Sequence, residues 1–146
     1  ESDIEELSTK FSSLVKESVI KSPEIRGAEE FLKKNYLNEK LFFINSATPE
    51  SEIKEIIKCR NMDHYFTQVF GSPKSKLDNL RAILSRYNID ITQIVFFGDA
   101  LSDFDAANKL GCMFVGIGQH IEDILSSRLP VPVGQNYLLK DFKELL

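Results

Sequence analysis

Between Ile4 and Val19 apolar residues recur every three or four positions, at Ile4, Leu7, Phe11, Leu14, Val15 and Val19, with polar residues between them. That period predicts a one-faced helix, ended by Ser22-Pro23 because the residue before a proline avoids helical backbone. Ala28, Phe31 and Leu32 predict a second, shorter helix. The run at 41–45 is apolar and rich in strand formers, and Ser46 follows it. Thr48 then predicts an N-cap with Pro49 at the first helical position, and Ile53, Ile56 and Ile57 as the buried stripe. Val69-Phe70 reads as a short strand closed by Gly71-Ser72-Pro73. A helix from about Ser75 carries Leu77, Leu80, Ile83 and Leu84, with Asp78 as a weak capping-box partner for Ser75. The clearest strand is 94–97, ending at Gly98-Asp99. Ser102 predicts the cap of a helix through Ala106, Ala107 and Leu110, with Gly111 as its C-terminal cap. Met113 to Ile117 is a further strand, and Ile121, Ile124 and Leu125 mark a helix. Tyr137 to Leu139 and Phe142 to Leu146 read as a small strand and a closing helix.

Strands alternating with helices predict an α/β fold, a parallel sheet with helices on both faces. In such a sheet the ligand crevice lies outside the carboxyl ends of the strands. The length, 146 residues, is that of one domain. Hydrophobic residues make up 42% and charged residues 27%, a globular and not a disordered balance. Net charge is −4, with 18 basic and 22 acidic residues interspersed, so the basic stripe of a nucleic-acid binder is missing. No apolar run approaches the roughly 20 residues of a membrane helix. Cys59 and Cys112 stand far apart, which makes neither a disulfide framework nor a zinc site and suits a reducing cytoplasm.

Polar side chains recur where the strands end. Ser46 follows the first, Lys74 and Lys76 the second, Asp99 and Asp103 the third. A hydroxyl, an ammonium and two carboxylates converging on one crevice can hold a phosphate and a divalent cation. The hydroxyl donates to a phosphoryl oxygen, the ammonium neutralises charge that builds up during transfer, and the carboxylates suit Mg2+. Each residue also has a plainer reading, as a turn serine, a solvated lysine or a helix-start carboxylate. Their order along successive strand ends weakens those readings.

The stretches LFFINSATPE, GSPKSK and VFFGDALSD resemble, in order, the second, third and fourth motifs of the haloacid dehalogenase (HAD) superfamily. The Ala-Ala and Leu-Gly that follow are similar to the subgroup of phosphoglycolate phosphatase and β-phosphoglucomutase. The resemblance runs from about Pro23 to Gly118, roughly two thirds of the chain. It implies a Rossmann-like HAD core, Mg2+ as cofactor and a small phosphorylated metabolite as substrate. Ser46, with the adjacent Ala47, would bind the phosphate. Asp99 would ligate Mg2+, with Asp103 as a second ligand or as the partner of the lysine. Lys76 fits a helix opening at GSPxxK and is preferred; Lys74 fits by its distance in sequence from Asp99.

The family's first motif, a strand followed by DxDxT or DxDxV, is absent. Asp3 lacks a preceding strand, Asp90-Ile91-Thr92 lacks the second aspartate, and Asp103-Phe104-Asp105 opens a helix. Residues 1–22 are therefore expected to be the end of a helical cap, and 23–146 a HAD-like core without its first strand. The missing strand, the nucleophile and most of the cap would lie upstream of Glu1. A sheet without a middle strand exposes two edges, which predicts self-association or marginal stability. A response-regulator receiver would place Asp before Ser and Lys, the reverse of the order here. A dinucleotide-binding loop would need a third glycine where Ile121 stands after Gly116-Ile117-Gly118. His120 follows a strand and could line the crevice, but it reads more readily as a surface loop histidine. A non-catalytic HAD-like scaffold is the remaining alternative.

Overall fold

The computed structural model describes residues 2–128 and 136–146. In chain order the elements are α1 (Ser2–Lys21), α2 (Ala28–Tyr36), β1 (Phe43–Pro49), α3 (Glu50–Cys59), β2 (Gln68–Ser72), α4 (Lys76–Tyr87), β3 (Val95–Gly98), α5 (Leu101–Leu110), β4 (Met113–Ile117), α6 (Gln119–Arg128) and β5 (Asn136–Leu139). A 3-10 turn at Phe142–Leu145 stands where the closing helix was expected. All pairings are parallel. β1 pairs with β2, and β3, β4 and β5 form a second ladder in that order.

The apolar runs become strands because they can be covered by helix stripes of matching hydrophobicity. α3 and α4 pack on the β1–β2 pair, and α5 and α6 on β4. The main core gathers Phe104 and Ala107 of α5, Cys112 and Phe114 of β4 and its approach, and Ile121 and Leu125 of α6. Ala107 and Ile121 are completely buried. Burial pushes the Cys112 thiol up from its ordinary pKa, whereas Cys59 is exposed. Gly111 closes α5 in the left-handed conformation, as its position predicts.

Two local expectations give way to packing. Thr48 is not an N-cap, because β1 continues past Ser46 to Pro49, which pairs with Ser72 after a register shift beyond Asn45. The helix then begins at Glu50, with Pro49 as its cap residue. The close approach of Gly71 allows this: a Cβ there would lie 2.5 Å from both the Thr48 carbonyl oxygen and the Glu50 nitrogen. Ser102 is not a cap either. It lies inside the first turn of α5, and Ala100 occupies the cap position. The apolar stripe of α1 does not face the core, since Ile4, Leu7, Phe11 and Leu14 are each exposed by two thirds or more.

α1 is held to the body from its carboxyl end. Nη1 of Arg60 donates to the carbonyl oxygens of Val19 (3.1 Å), Ile20 (3.0 Å) and Ser22 (2.7 Å). These include carbonyls that a helix end leaves without intrahelical partners, and a cation there also favours the helix dipole. Lys16 adds an ion pair to Glu55 of α3 at 2.8 Å. At the other end of the chain, Phe142 packs against Phe31 of α2 and Phe97 of β3, with ring centroids 5.2 and 5.5 Å away.

β1 and β3 each keep one edge that pairs with no strand among the described residues. Both line a cavity of about 690 Å3, which is otherwise walled by α2 and α4. Arg60→Met removes the three carbonyl contacts and is expected to lower stability by about 1–2 kcal/mol. Hydrogen exchange should then accelerate in α1 while β4 stays protected; equal acceleration in both would refute a local anchoring role.

Candidate phosphate-handling site

The carboxyl ends of β1, β2 and β3 meet around Lys76. This lysine opens α4 because Ser75 caps the helix, its hydroxyl accepting from the Asp78 backbone N–H at 3.1 Å and donating to the Asp78 carboxylate at 2.7 Å. The Asp78 side chain is occupied by that hydroxyl, so the reciprocal capping box is only half made.

The Lys76 ammonium lies 2.5 Å from Asp103 Oδ1 and 3.1 Å from Ser102 Oγ. The other Asp103 oxygen accepts from the Ala100 N–H at 3.2 Å. Asp103 thus caps α5 from its first turn and pairs with the lysine, while being 5% exposed. It can lie so deep only because residue 98 is glycine. A Cβ at Gly98 would stand 2.4–2.7 Å from the Asp103 side chain.

An amide relay ties Lys76 to β1. Asn45 Nδ2 donates to the Lys76 carbonyl oxygen at 2.8 Å, and Asn79 Nδ2 donates to Asn45 Oδ1 at 3.0 Å. Asn79, 1% exposed, also reaches the Gly71 carbonyl at 3.4 Å. Asn45 and Asn79 carry no motif that singles them out, and Ser102 reads from its position as a helix cap and not as a partner of the lysine. Asn79 carried a usable signal: it lies three residues after Lys76 and four before Ile83, on the buried face of the helix, where an amide requires a partner.

Ser46 is half-buried at the irregularity in β1, its Oγ accepting from the Thr48 N–H at 3.1 Å, and Ala47 is exposed. The hydroxyl proton of Ser46 makes no bond among the described residues. Asp99 is exposed just beyond β3 and makes no hydrogen bond or ion pair among the described residues. Lys74 is exposed and does not reach Asp103. Its charge adds a little to what holds the Glu50 carboxyl below its ordinary pKa, the main cause being the hydrogen bond from Lys54 at 2.5 Å. Ala47, Lys74, Lys76, Ser102 and Lys109 line a second, open cavity of about 470 Å3, with Asp105 as its one acidic residue.

Among the described residues no three His, Cys, Asp or Glu side chains gather as a metal-binding group. Asp99 fits as one carboxylate of a Mg2+ site, since this ion is commonly held by one or two carboxylates with phosphate oxygens and water. Asp103 is placed as the partner of the lysine, one oxygen accepting from the Lys76 ammonium and the other from the Ala100 N–H, and each oxygen keeps a lone pair with which it could also serve as a ligand.

The profile of the haloacid dehalogenase-like hydrolase family matches residues 1–117, and the chain belongs to that family. No curated protein matches significantly. Among solved structures, the chain is similar to a HAD-superfamily hydrolase from Ehrlichia chaffeensis (23% identity, TM-score 0.67, covering 94% of this chain and 65% of that one). It is similar to a haloacid dehalogenase-like family hydrolase from Streptococcus pneumoniae (17%, TM-score 0.70, 87% and 60%). A predicted phosphoglycolate phosphatase from Haemophilus somnus also resembles it (18%, TM-score 0.66, 83% and 55%). At these identities the structures establish the shared fold. The chain spans between 55% and 65% of their lengths.

Asn79→Leu removes the relay's buried donor and leaves Asn45 Oδ1 without a partner. A loss of about 1–3 kcal/mol in denaturant unfolding is expected. Gly98→Ala should destabilise by about 1–3 kcal/mol through overpacking against Asp103. If the alanine variant unfolded at the unaltered midpoint, the close approach of Asp103 would be refuted.

Proposed function

We propose that this chain carries the phosphate-handling half of a Mg2+-dependent HAD-type phosphohydrolase acting on a small phosphorylated metabolite. The observation that supports this most is the Lys76 ammonium held between Asp103 and Ser102. A lysine has three N–H donors. Two are directed at Asp103 and Ser102, and the third remains for a phosphoryl oxygen. The carboxylate fixes where the positive charge stands before substrate arrives, which is how preorganised groups stabilise charge developing in a transition state. The Ser46 hydroxyl and the Ala47 backbone would hold another phosphoryl oxygen. Lys74 and Lys109 add positive charge to the neighbouring cavity.

In the family the chemistry is covalent. An aspartate carboxylate attacks phosphorus, the substrate oxygen leaves, and water activated by a second aspartate hydrolyses the aspartyl-phosphate. This sequence has no strand followed by such an aspartate pair, so these 146 residues are expected to bind phosphate weakly and not to turn over. Asp99 would contact Mg2+, which when bound supplies neutralisation of phosphoryl charge. A small metabolite is preferred to nucleic acid because the charge is mildly acidic and mixed, and free thiols support a cytoplasmic setting. No described helix is long and apolar enough to cross a membrane.

Two measurements on the 146-residue chain test the reading. Inorganic phosphate binding, followed by 31P line broadening, should be detectable, lost in Lys76→Met and retained in Lys74→Met. Hydrolysis of p-nitrophenyl phosphate with Mg2+ should stay at the buffer rate. Turnover that Asp99→Asn abolishes would refute the assignment of a missing nucleophile. Failure of the unaltered chain to bind phosphate would favour a non-catalytic scaffold on the same fold.

A further inference from the structure

We propose that the open cavity beside Lys76 is a second oxyanion subsite. The substrate then carries, besides the phosphate at Lys76, another anionic group held by Lys74 and Lys109. The inference rests on the reading of Lys76 as the phosphate-binding lysine. It deepens that reading by assigning two residues that a lone phosphate does not need.

The cavity, of about 470 Å3, is walled by the loop after β2, the start of α4 and one face of α5. Ser102, Asp105, Ala106 and Lys109 follow the spacing of a single helix face, which is how a lysine two turns along α5 comes to line it. Its charged lining is three lysines against one acid, Asp105. Lys76 is already matched by Asp103. Lys74 and Lys109 are not matched: among the described residues neither makes a hydrogen bond or an ion pair. Asp105 stands four residues before Lys109, the spacing at which an acid pairs with a lysine along a helix. The two nevertheless do not pair. Two uncompensated cations lining one cavity repel each other, and an anion between them removes that repulsion.

The subsite adjoins the phosphate position and is not a separate site. Lys76 and Ser102 line the same cavity. Ser102 Oγ accepts from the Lys76 ammonium at 3.1 Å, so its own proton remains to be donated into the cavity. One small molecule with two anionic groups can therefore span both. A metabolite with a single phosphate and an uncharged remainder leaves Lys74 and Lys109 facing only water.

The test uses the 146-residue chain and three non-hydrolysable probes, in buffer without Mg2+. Methylphosphonate has one anionic group, ethylenediphosphonate has two phosphonates, and phosphonopropionate has a phosphonate and a carboxylate. Salt is kept at about 0.15 M, where long-range attraction between exposed charges is screened. Two exposed ion pairs supply roughly a factor of ten between them. At least one two-group probe should therefore bind about tenfold more tightly than methylphosphonate, and the one that gains shows whether the group is phosphoryl or carboxylate. Lys74→Met and Lys109→Met should each cut that gain about threefold and leave methylphosphonate binding unchanged. Lys58→Met, at an exposed lysine of α3 outside the cavity, should change none of the three. Equal affinity for all three probes would overturn the subsite while the Lys76 reading stands. A gain that survives both cavity variants, or falls as much in Lys58→Met, would overturn it too. If none of the probes binds, the Lys76 reading fails and the subsite with it.

Discussion

The structure depends on the ion pair between Lys76 and Asp103, because it joins two sheets that share no backbone hydrogen bonds. Lys76 belongs to the half built on β1 and β2, Asp103 to the half built on β3, β4 and β5. Taking both charges out of water is costly, and the attraction offsets that cost only when the remaining polar atoms are also satisfied. Most are satisfied here: Ser102 accepts from the ammonium, the Ala100 N–H donates to the second carboxylate oxygen, and one ammonium N–H is left over. Removing either partner alone would leave the other charge buried and uncompensated.

Around that pair the packing follows from small steric permissions. Gly98 lets the carboxylate approach, and Gly71 lets the chain leaving β1 lie across β2. The Asn45–Asn79 relay carries the position of Lys76 back to the strand that bears Ser46. Lys76, Asp103 and Asn45 are thus tied together across the two halves of the fold. The same arrangement leaves a cavity between β1 and β3 that is lined mainly by apolar side chains.

Much of the fold was legible because hydrophobic periods survive whatever packs on them. The strand at Met113–Ile117 and the cap at Gly111 followed from an apolar run and a left-handed glycine. Boundaries were less legible where a neighbour competed with a local preference. Thr48-Pro49 has the chemistry of a helix start, but pairing with Ser72 keeps the backbone extended to Pro49. Ser102 has the chemistry of an N-cap, but the helix begins earlier, at Leu101, with Ala100 in the cap position, and the serine hydroxyl accepts from the Lys76 ammonium instead. The exposed stripe of α1 shows the opposite limit, since periodicity predicts a face without saying what covers it.

Taken alone, the sequence determined the α/β class, the order of strands and helices, and the kinds of side chain at the strand ends. Those properties reside in local periodicity and in turn chemistry, which need no partner to be read. Tertiary structure decided which of two lysines meets the buried aspartate, that Asp103 pairs while Asp99 stays open, and that two asparagines hold the lysine in place. Each of these depends on a distance between residues far apart in the chain. The split of the sheet into two ladders is of the same kind, since an edge becomes open only when its neighbour in space is known.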